Sequence, residues 1–447
     1  MLLTFAAFFF VLSIVVFVHE LGHFVVAKLN RIYVITFSFG FGPKLLKVRA
    51  GETEYALSAL PFGGYVKFAG ETGEGDGAGE ELPDGVVVPP ERMYHNRPAL
   101  GRMSVVLAGP FMNFVLALLV YVFGLYVEGV YVNPSTTISG IDSAGAAAAA
   151  GFRVGDRIVG LEGETVDYWL EIEKTLAKRK DAPTVFSVLR GADTLSITAT
   201  PRWDERTESY RIGIESHLEP RVGDVKKGSP AEKAGLRSGA LILAIDDTTV
   251  TRYADLERMI RPNIGKPMQF TWEYEGEIRT ASIVPESAEA AAEGERLDVV
   301  KEGQIGVGPY YAKVRISLAE SAVYGWRAFA NLFRNIMDFL SKLFTGKATL
   351  RAVGGPLRVG LMAGDMIRWG FNYLVYFLAF FSLNLAIFNL LPVLPFDGGH
   401  AVLALFELVT RRRIGKRVQQ ALGQIGFVVL ILLMVFILTV DIFNVVR

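Results

Sequence analysis

The sequence predicts a polytopic α-helical membrane protein with four transmembrane helices, a small membrane-associated β region and a β-rich insert outside the membrane. Three observations predict it. Apolar blocks long enough to cross a bilayer, about 20 residues, occur at Leu2 to Ala27, Met103 to Val127, Trp369 to Phe396 and Val418 to Val440. Hydrophobic residues make up 51% of the 447, more than soluble domains usually carry, and the excess is concentrated in those blocks. Between the second and third blocks, residues 129–311 read as soluble and contain an internal repeat.

The first block has no basic residue before it, its first lysine is Lys28, and no small-residue cleavage pattern follows, so it is read as a retained span and not a signal peptide. Lys and Arg near the span ends set orientation. Lys28 and Arg31 follow the first span, Arg92, Arg97 and Arg102 precede the second, and Arg411, Arg412, Arg413, Lys416 and Arg417 separate the third and fourth. Those loops are expected on the cytoplasmic side, although Arg351, Arg358 and Arg368 run against the pattern. Both termini and the central insert then lie outside the cytoplasm. The 46 basic residues balance 46 acidic ones, leaving no overall field for nucleic acid. With no cysteine there can be no disulfide or thiolate metal site, so any zinc must be held by His and carboxylate.

The most specific motif lies inside the first block, in Phe17-Val18-His19-Glu20-Leu21-Gly22-His23. Residues four apart on an α-helix lie one above the other, so His19 and His23 can present two imidazoles to one metal while Glu20 borders the same site. A charged side chain at mid-bilayer costs roughly 2.5 to 3.5 kcal/mol even on the lenient insertion scale. This trio therefore needs partners within the membrane.

After the first span, Tyr33 to Phe39, Lys44 to Arg49 and Thr53 to Ser58 favour strands, and Gly40, Gly42-Pro43 and Ala50-Gly51-Glu52 supply turns. Pro61-Phe62-Gly63-Gly64-Tyr65-Val66 closes this small sheet with another turn and a short strand. A sheet edge beside such a metal site can pair with an extended substrate, which makes Gly63, Gly64 and Tyr65 substrate-binding candidates. Glu71 to Pro90, rich in Gly, Glu and Pro, reads as a mobile loop.

Within the insert, Ala150-Gly151-Phe152-Arg153-Val154-Gly155-Asp156-Arg157-Ile158-Val159 aligns with Ala234-Gly235-Leu236-Arg237-Ser238-Gly239-Ala240-Leu241-Ile242-Leu243 at an offset of 84. The pattern resembles the helix-to-strand segment of PDZ domains, small β-sandwiches with helices and a groove for an extended peptide. The second copy departs from it at Ala240, where Asp is usual. Two extracytoplasmic PDZ modules are expected, at 129–218 and 219–311. Ser317 to Phe344 is helical by pattern, with a wide apolar face that suits either the membrane surface or support of the modules. Gly354-Gly355-Pro356 breaks the chain before a shorter helical run toward Trp369. The chain thus divides into 1–128, the two modules, an amphipathic segment at 312–368, and a C-terminal membrane part at 369–447.

A catalytic zinc takes three protein ligands and leaves one position open. The best third ligand is Asp397, at the end of Asn389-Leu390-Leu391-Pro392-Val393-Leu394-Pro395-Phe396-Asp397-Gly398-Gly399-His400. As a continuous helix the third block would measure about 42 Å against a hydrocarbon core of roughly 30 Å. Pro392, Pro395 and the Gly pair are therefore expected to break it and hold Asp397 within the membrane, near the depth of the two histidines. His400 is the competing ligand, and its position beyond the glycines favours a supporting place. His95 and His217 sit in loops without ligand spacing. Asn113 and Asn389 are intramembrane amides. Either can bond between helices, and Asn389 can also hold a substrate carbonyl.

These motifs, together with Ala108-Gly109-Pro110 and Asn113 in the second span, resemble the site-2 protease family of intramembrane zinc metalloproteases. Two PDZ copies point to its bacterial regulator of sigma-E protease branch. The likeness covers essentially the whole chain, with one departure: the family commonly shows Leu before Asp-Gly, where this chain has Phe396. The resemblance implies His19, His23 and Asp397 as zinc ligands, Glu20 as the catalytic base, and regulated intramembrane proteolysis in the bacterial inner membrane as part of a stress response. Its substrates would be transmembrane peptides, an anti-sigma factor after a first-site cut and signal-peptide remnants, met by a monomer in the lipid bilayer. The PDZ modules and both termini would be periplasmic. The alternative is a non-catalytic PDZ scaffold with a structural metal site, against which stand the adjacent base Glu20 and the open fourth position.

Overall fold

An apolar run without proline, and without glycine before Gly22, has no reason to break, and it forms helix α1 (Leu2–Leu29). Elements are numbered along the chain of the computed structural model, which describes residues 2–71, 80–82, 85–205, 207, 209–291, 299–347 and 355–446. Much of the loop expected to be mobile at Glu71 to Pro90 lies outside the described residues. Helices α2 (Ala99–Glu128), α9 (Phe371–Asn389) and α11 (Lys416–Val446) join α1 as the four helices, among the described residues, long and apolar enough to cross a membrane. The chain divides into two units, one of residues 1–127, 292–299 and 317–447, the other of 128–291 and 300–316.

In the first unit, α1 packs Val11 and Val15 against Ala363 of α8 (Pro356–Trp369) and Phe377 of α9. Helix α7 (Leu318–Phe344) starts at Ser317, whose hydroxyl and the Glu320 carboxylate cap each other's backbone amides. Of the two places the sequence left open for its apolar face, the structure shows a third. Phe329, Phe333 and Ile336 pack on Ala117 of α2 and on Ala379 and Leu383 of α9.

The β region keeps the expected turns inside two long strands. Strand β1 (Val34–Ala50) runs through Gly40, Gly42 and Pro43, and β2 (Thr53–Phe68) runs through Pro61 and Gly63. Gly40, Gly42 and Gly63 take positive φ values of 87°, 85° and 107°, and the chain reverses at both places: residues 36–39 run alongside 54–57 in the same direction, whereas 46–49 run opposite to 54–57 and 64–67 run opposite to 36–39. The reversals let Thr36 lie between Lys67 and Glu54, and Phe39 between Gly64 and Leu57, so residues 36–39 run through the middle of the sheet. A short pair, β3 (Glu80–Glu81) with β4 (Val87–Val88), covers Tyr33, Ala69 and Met93.

The second unit opens with β5 (Val130–Val132), which pairs with β22 (Ala312–Val314) where the chain leaves. Between them the repeat runs much further than its most similar stretch. Strands β6 (Ile138–Ile141), β7 (Arg157–Leu161), β8 (Glu164–Thr165), β9 (Thr184–Arg190) and β10 (Asp193–Ala199) have counterparts 84 residues on. These are β14 (Val222–Val225), β15 (Leu241–Ile245), β16 (Thr248–Thr249), β17 (Met268–Tyr274) and β18 (Glu277–Ile283). Both sheets have the same order, β10-β9-β7-β8 and β18-β17-β15-β16. Helices α3 (Ala146–Ala150) and α4 (Trp169–Arg179) of the first module correspond to α5 (Pro230–Lys233) and α6 (Tyr253–Ile260) of the second. β13 (Ile214–Ser216) pairs with β6, as β21 (Val307–Pro309) pairs with β14. Hairpins β11 (Arg202–Asp204) with β12 (Ser209–Arg211), and β19 (Glu286–Ala291) with β20 (Val299–Gln304), complete the unit. Phe186 and Phe270, at matching positions, are fully buried centres of two separate cores.

The mismatch between Asp156 and Ala240 has a physical reason. Asp156 is 1% exposed and takes two hydrogen bonds, of 2.7 and 2.8 Å, from the Arg190 guanidinium and a third from the Arg153 amide. In the second module the position of Arg190 is held by Tyr274, and Ala240 is buried in its apolar core. A buried carboxylate without its arginine would be destabilising, so both members of the pair differ together. Asp156→Ala is expected to cost the first module about 1–3 kcal/mol at neutral pH. The Arg190 hydrogen bonds hold the Asp156 carboxyl below its ordinary range, so this contribution is present above that range and lost as pH falls through the lowered value. Hydrogen exchange of the β7 and β9 amides in the intact protein at pH 7 measures it. Unchanged protection in the variant would rule out a stabilising pair.

Candidate metal centre

His19 and His23, one turn apart on α1, are both buried, with their Nε2 atoms 3.2 Å from each other. Oδ2 of Asp397 lies 3.1 Å from Nε2 of His19 and 3.5 Å from Nε2 of His23. A tetrahedral zinc with bonds of about 2.0–2.1 Å spaces its ligand atoms by roughly 3.3 Å, the spacing of this triangle. That Oδ2 is buried and has no hydrogen-bond donor, as expected of an atom whose partner is a metal. Three nitrogen and oxygen donors at this spacing fit a zinc ion with one position open to solvent or substrate.

Helix α2 builds the wall behind the histidines. The Val105 carbonyl can only accept, so its 2.8 Å bond from Nδ1 of His23 places that ring's proton on Nδ1 and leaves Nε2 bare for a metal. A Cβ at Gly109 would strike Nε2 of His23 and come within 2.8 Å of Cε1 of His19. A Cβ at Gly22 would strike the Ala108 carbonyl, so α1 and α2 touch backbone to backbone at this level. The Asn113 amide lies 3.2 Å from Nδ1 of His19, and the Ser382 hydroxyl of α9 donates to the Asn113 carbonyl at 2.9 Å.

Asp397 arrives differently from the sequence expectation. The chain does leave helix after Asn389, but Gly398 and Gly399 do not break it further. They form the first turn of a helix that the sequence left as loop, α10 (Asp397–Thr410). A Cβ on Gly398 would strike the Leu390 carbonyl, and one on Gly399 would come within 2.6 Å of the Leu394 amide, so the pair lets α10 fold back against the segment before it. The positive end of α10 then faces the Asp397 carboxylate. At its other end, Glu407 pairs with Arg102 of α2 and, at 3.0 Å, with Arg413. Burial pushes the Glu407 carboxyl up, but these hydrogen bonds outweigh it and hold the group below its ordinary range, charged and fixed.

Glu20 faces the β region. Its carboxylate is hydrogen-bonded to the backbone of Val66, and the Cβ that Gly64 lacks would lie 3.5 Å from its Cγ. Residues 64–66 pair with β1 on one side only, so a free sheet edge borders Glu20. Gly63 is needed because the Phe41 ring occupies the space of a side chain, and Phe41 stacks on Tyr65. Asn389 is brought to the centre, its amide 3.5 Å from Nε2 of His19. His400 is exposed and outside the ligand triangle. His95 bonds the Gly70 carbonyl at 2.8 Å, and His217 takes part through its backbone amide. Sequence reasoning missed the Val105 carbonyl, which no residue type announces, and the Arg102–Glu407 pair, whose members are 305 positions apart. Gly109 belongs to the second-span motif, but its place against both imidazoles follows only from the packing of α2 on α1.

The model of peptidase family M50 matches residues 7–433. A Neisseria meningitidis protein whose name places it among zinc metalloproteases is 30% identical over 96% of this chain and 97% of its own length. The regulator of sigma E protease of Salmonella typhi is 30% identical over 96% of each chain. Among solved structures, the PDZ domain of an SdrC-like protein from Listeria monocytogenes aligns with 19% of this chain and 87% of its own. It does so at 14% identity and a TM-score of 0.17, too low to support a fold assignment.

Asp397→Ala is expected to lower zinc affinity by more than the roughly 10- to 100-fold typical of outer-sphere partners, and Gly109→Ala by about that range, since its methyl displaces both rings. His400→Ala should leave affinity unchanged. Chelator competition on the detergent-solubilised protein measures all three. Loss of zinc in the His400 variant with retention in the Asp397 variant would reverse the ligand assignment.

Proposed function

The chain belongs to peptidase family M50 and is a zinc metalloprotease, and from that premise we propose that it cuts peptide bonds inside the membrane-spanning segments of single-span substrates. The observation that carries the proposal is the placement of both imidazoles and Glu20 in the second half of α1, a helix of mean hydropathy 2.5 over its most apolar window. His19, His23 and Asp397 would hold the zinc, which would supply a Lewis acid for the scissile carbonyl and for the attacking water. Glu20, on the open side and in contact with the edge of β2, takes the proton from the attacking water and returns it to the leaving amine. A substrate helix shields its own peptide bonds, so it must unwind before cleavage. The sheet edge at Gly64 and Tyr65, beside the Val66 backbone that bonds Glu20, can hold the unwound strand by backbone pairing, while the Asn389 amide donates to a substrate carbonyl.

The substrates are proposed to be an anti-sigma factor already shortened by a first cut, and signal-peptide remnants. This reading is supported by similarity to a regulator of sigma E protease. The asymmetry of Lys and Arg about the spans supports placement in the bacterial inner membrane, with residues 129–311 and both termini periplasmic. The duplicated modules are proposed to be PDZ domains, on the Ala150 to Val159 motif and its copy.

Glu20→Gln is expected to lower cleavage of a model transmembrane peptide by about 10²–10⁴-fold while zinc stoichiometry stays unchanged, because the carboxylate moves a proton and does not hold the metal. Turnover and metal content are read on the same preparation. Wild-type turnover in this variant would remove Glu20 from the mechanism.

A further inference from the structure

We propose that Asn113 is a positioning residue that fixes the tautomer and ring orientation of His19 by accepting a hydrogen bond from its Nδ1–H. The inference rests on the reading of His19 as a zinc ligand. Nε2 of His19 faces the triangle with His23 and Asp397, so as a ligand it must be bare, and the proton of the neutral ring then sits on Nδ1. That proton is buried and needs an acceptor. The side chain opposite is the Asn113 amide, 3.2 Å away and 0% exposed, on α2.

An amide presents a donor and an acceptor end of nearly equal shape, related by a half-turn about Cβ–Cγ. Oδ1 of Asn113 is buried and has no donor. The half-turn that brings Oδ1 opposite Nδ1 therefore pairs two groups that both need a partner, a buried N–H and a buried oxygen, within the same volume. The residue cannot drift from the ring, because the Ser382 hydroxyl holds its backbone carbonyl and Gly109, one turn earlier on α2, seats both imidazoles. His23 receives the same service from the Val105 carbonyl. Both ligand rings are thus oriented by oxygens of one helix, one from the backbone and one from a side chain, and only the second can be altered by substitution.

The test uses the full-length protein in detergent. Asn113→Leu removes the acceptor at similar volume, and Asn113→Asp keeps an oxygen that can only accept. Zinc affinity by chelator competition is expected to fall about 10- to 100-fold in Asn113→Leu and to stay near wild type or rise in Asn113→Asp. ¹⁵N-histidine spectra of the zinc-loaded wild type, assigned with His19→Gln, should show His19 protonated at Nδ1 with a slowly exchanging proton. This measurement does not depend on either Asn113 variant folding. Wild-type affinity in Asn113→Leu, an equal loss in Asn113→Asp, or an Nε2-protonated His19 would each overturn the inference. Wild-type zinc binding in His19→Gln would overturn the ligand reading and the inference with it, whereas loss of zinc there alongside normal binding in Asn113→Leu overturns the inference alone.

Discussion

The site depends on the backbone contact between α1 and α2. Three donor atoms must stand within 3.5 Å of one another, and two of them come from imidazoles on a single helix face. An imidazole pair of that kind can turn inward only if the neighbouring helix offers no side chain at their level. Gly22 and Gly109 meet that condition from opposite sides, since a methyl on either would strike the partner helix. Within a bilayer, where lipid tails are as apolar as leucine, close backbone approach between small residues is also a main source of attraction between helices. The same contact therefore holds α1 to α2 and leaves room for the candidate metal ligands.

The third donor shows how an acid is delivered to such a site. Asp397 heads a helix that turns back on the end of α9, and the turn is possible because Gly398 and Gly399 let backbone meet backbone. The Arg102–Glu407 pair fixes the far end of α10 to α2, the helix that also orients the histidines. One helix thus sets the relative position of ligands that come from the two ends of the chain. On the open side of the triangle stands a sheet whose turns depend on glycines, and the edge it presents to Glu20 suits an extended peptide better than a helical one.

The second unit repeats one strand order around two differently filled cores. Strand order and spacing are kept from β6 to β10 and from β14 to β18. The buried Asp156–Arg190 pair of the first copy becomes Ala240 and Tyr274 in the second. An ion pair and an apolar contact can fill one position of a fold, provided both members change.

What the sequence by itself determined is whatever depends on neighbours in the chain. The four apolar lengths, the one-turn spacing of His19 and His23, the 84-residue repeat and the amphipathic run from Ser317 were legible because hydropathy and periodicity are local. Asp397 was reachable as the acid closing an apolar span near a proline pair. The helix α10 was not foreseen because Gly398 and Gly399 were judged by intrinsic preference as a break. Gly40 and Gly42 turn the chain as their preference suggests, whereas Gly398 and Gly399 begin a helix that leans on Leu390 and Leu394. Glycine's preference is weak, and a missing Cβ acquires meaning only from the atom that would have met it. That atom lies on another segment, so only the tertiary structure could decide between a break and a close approach.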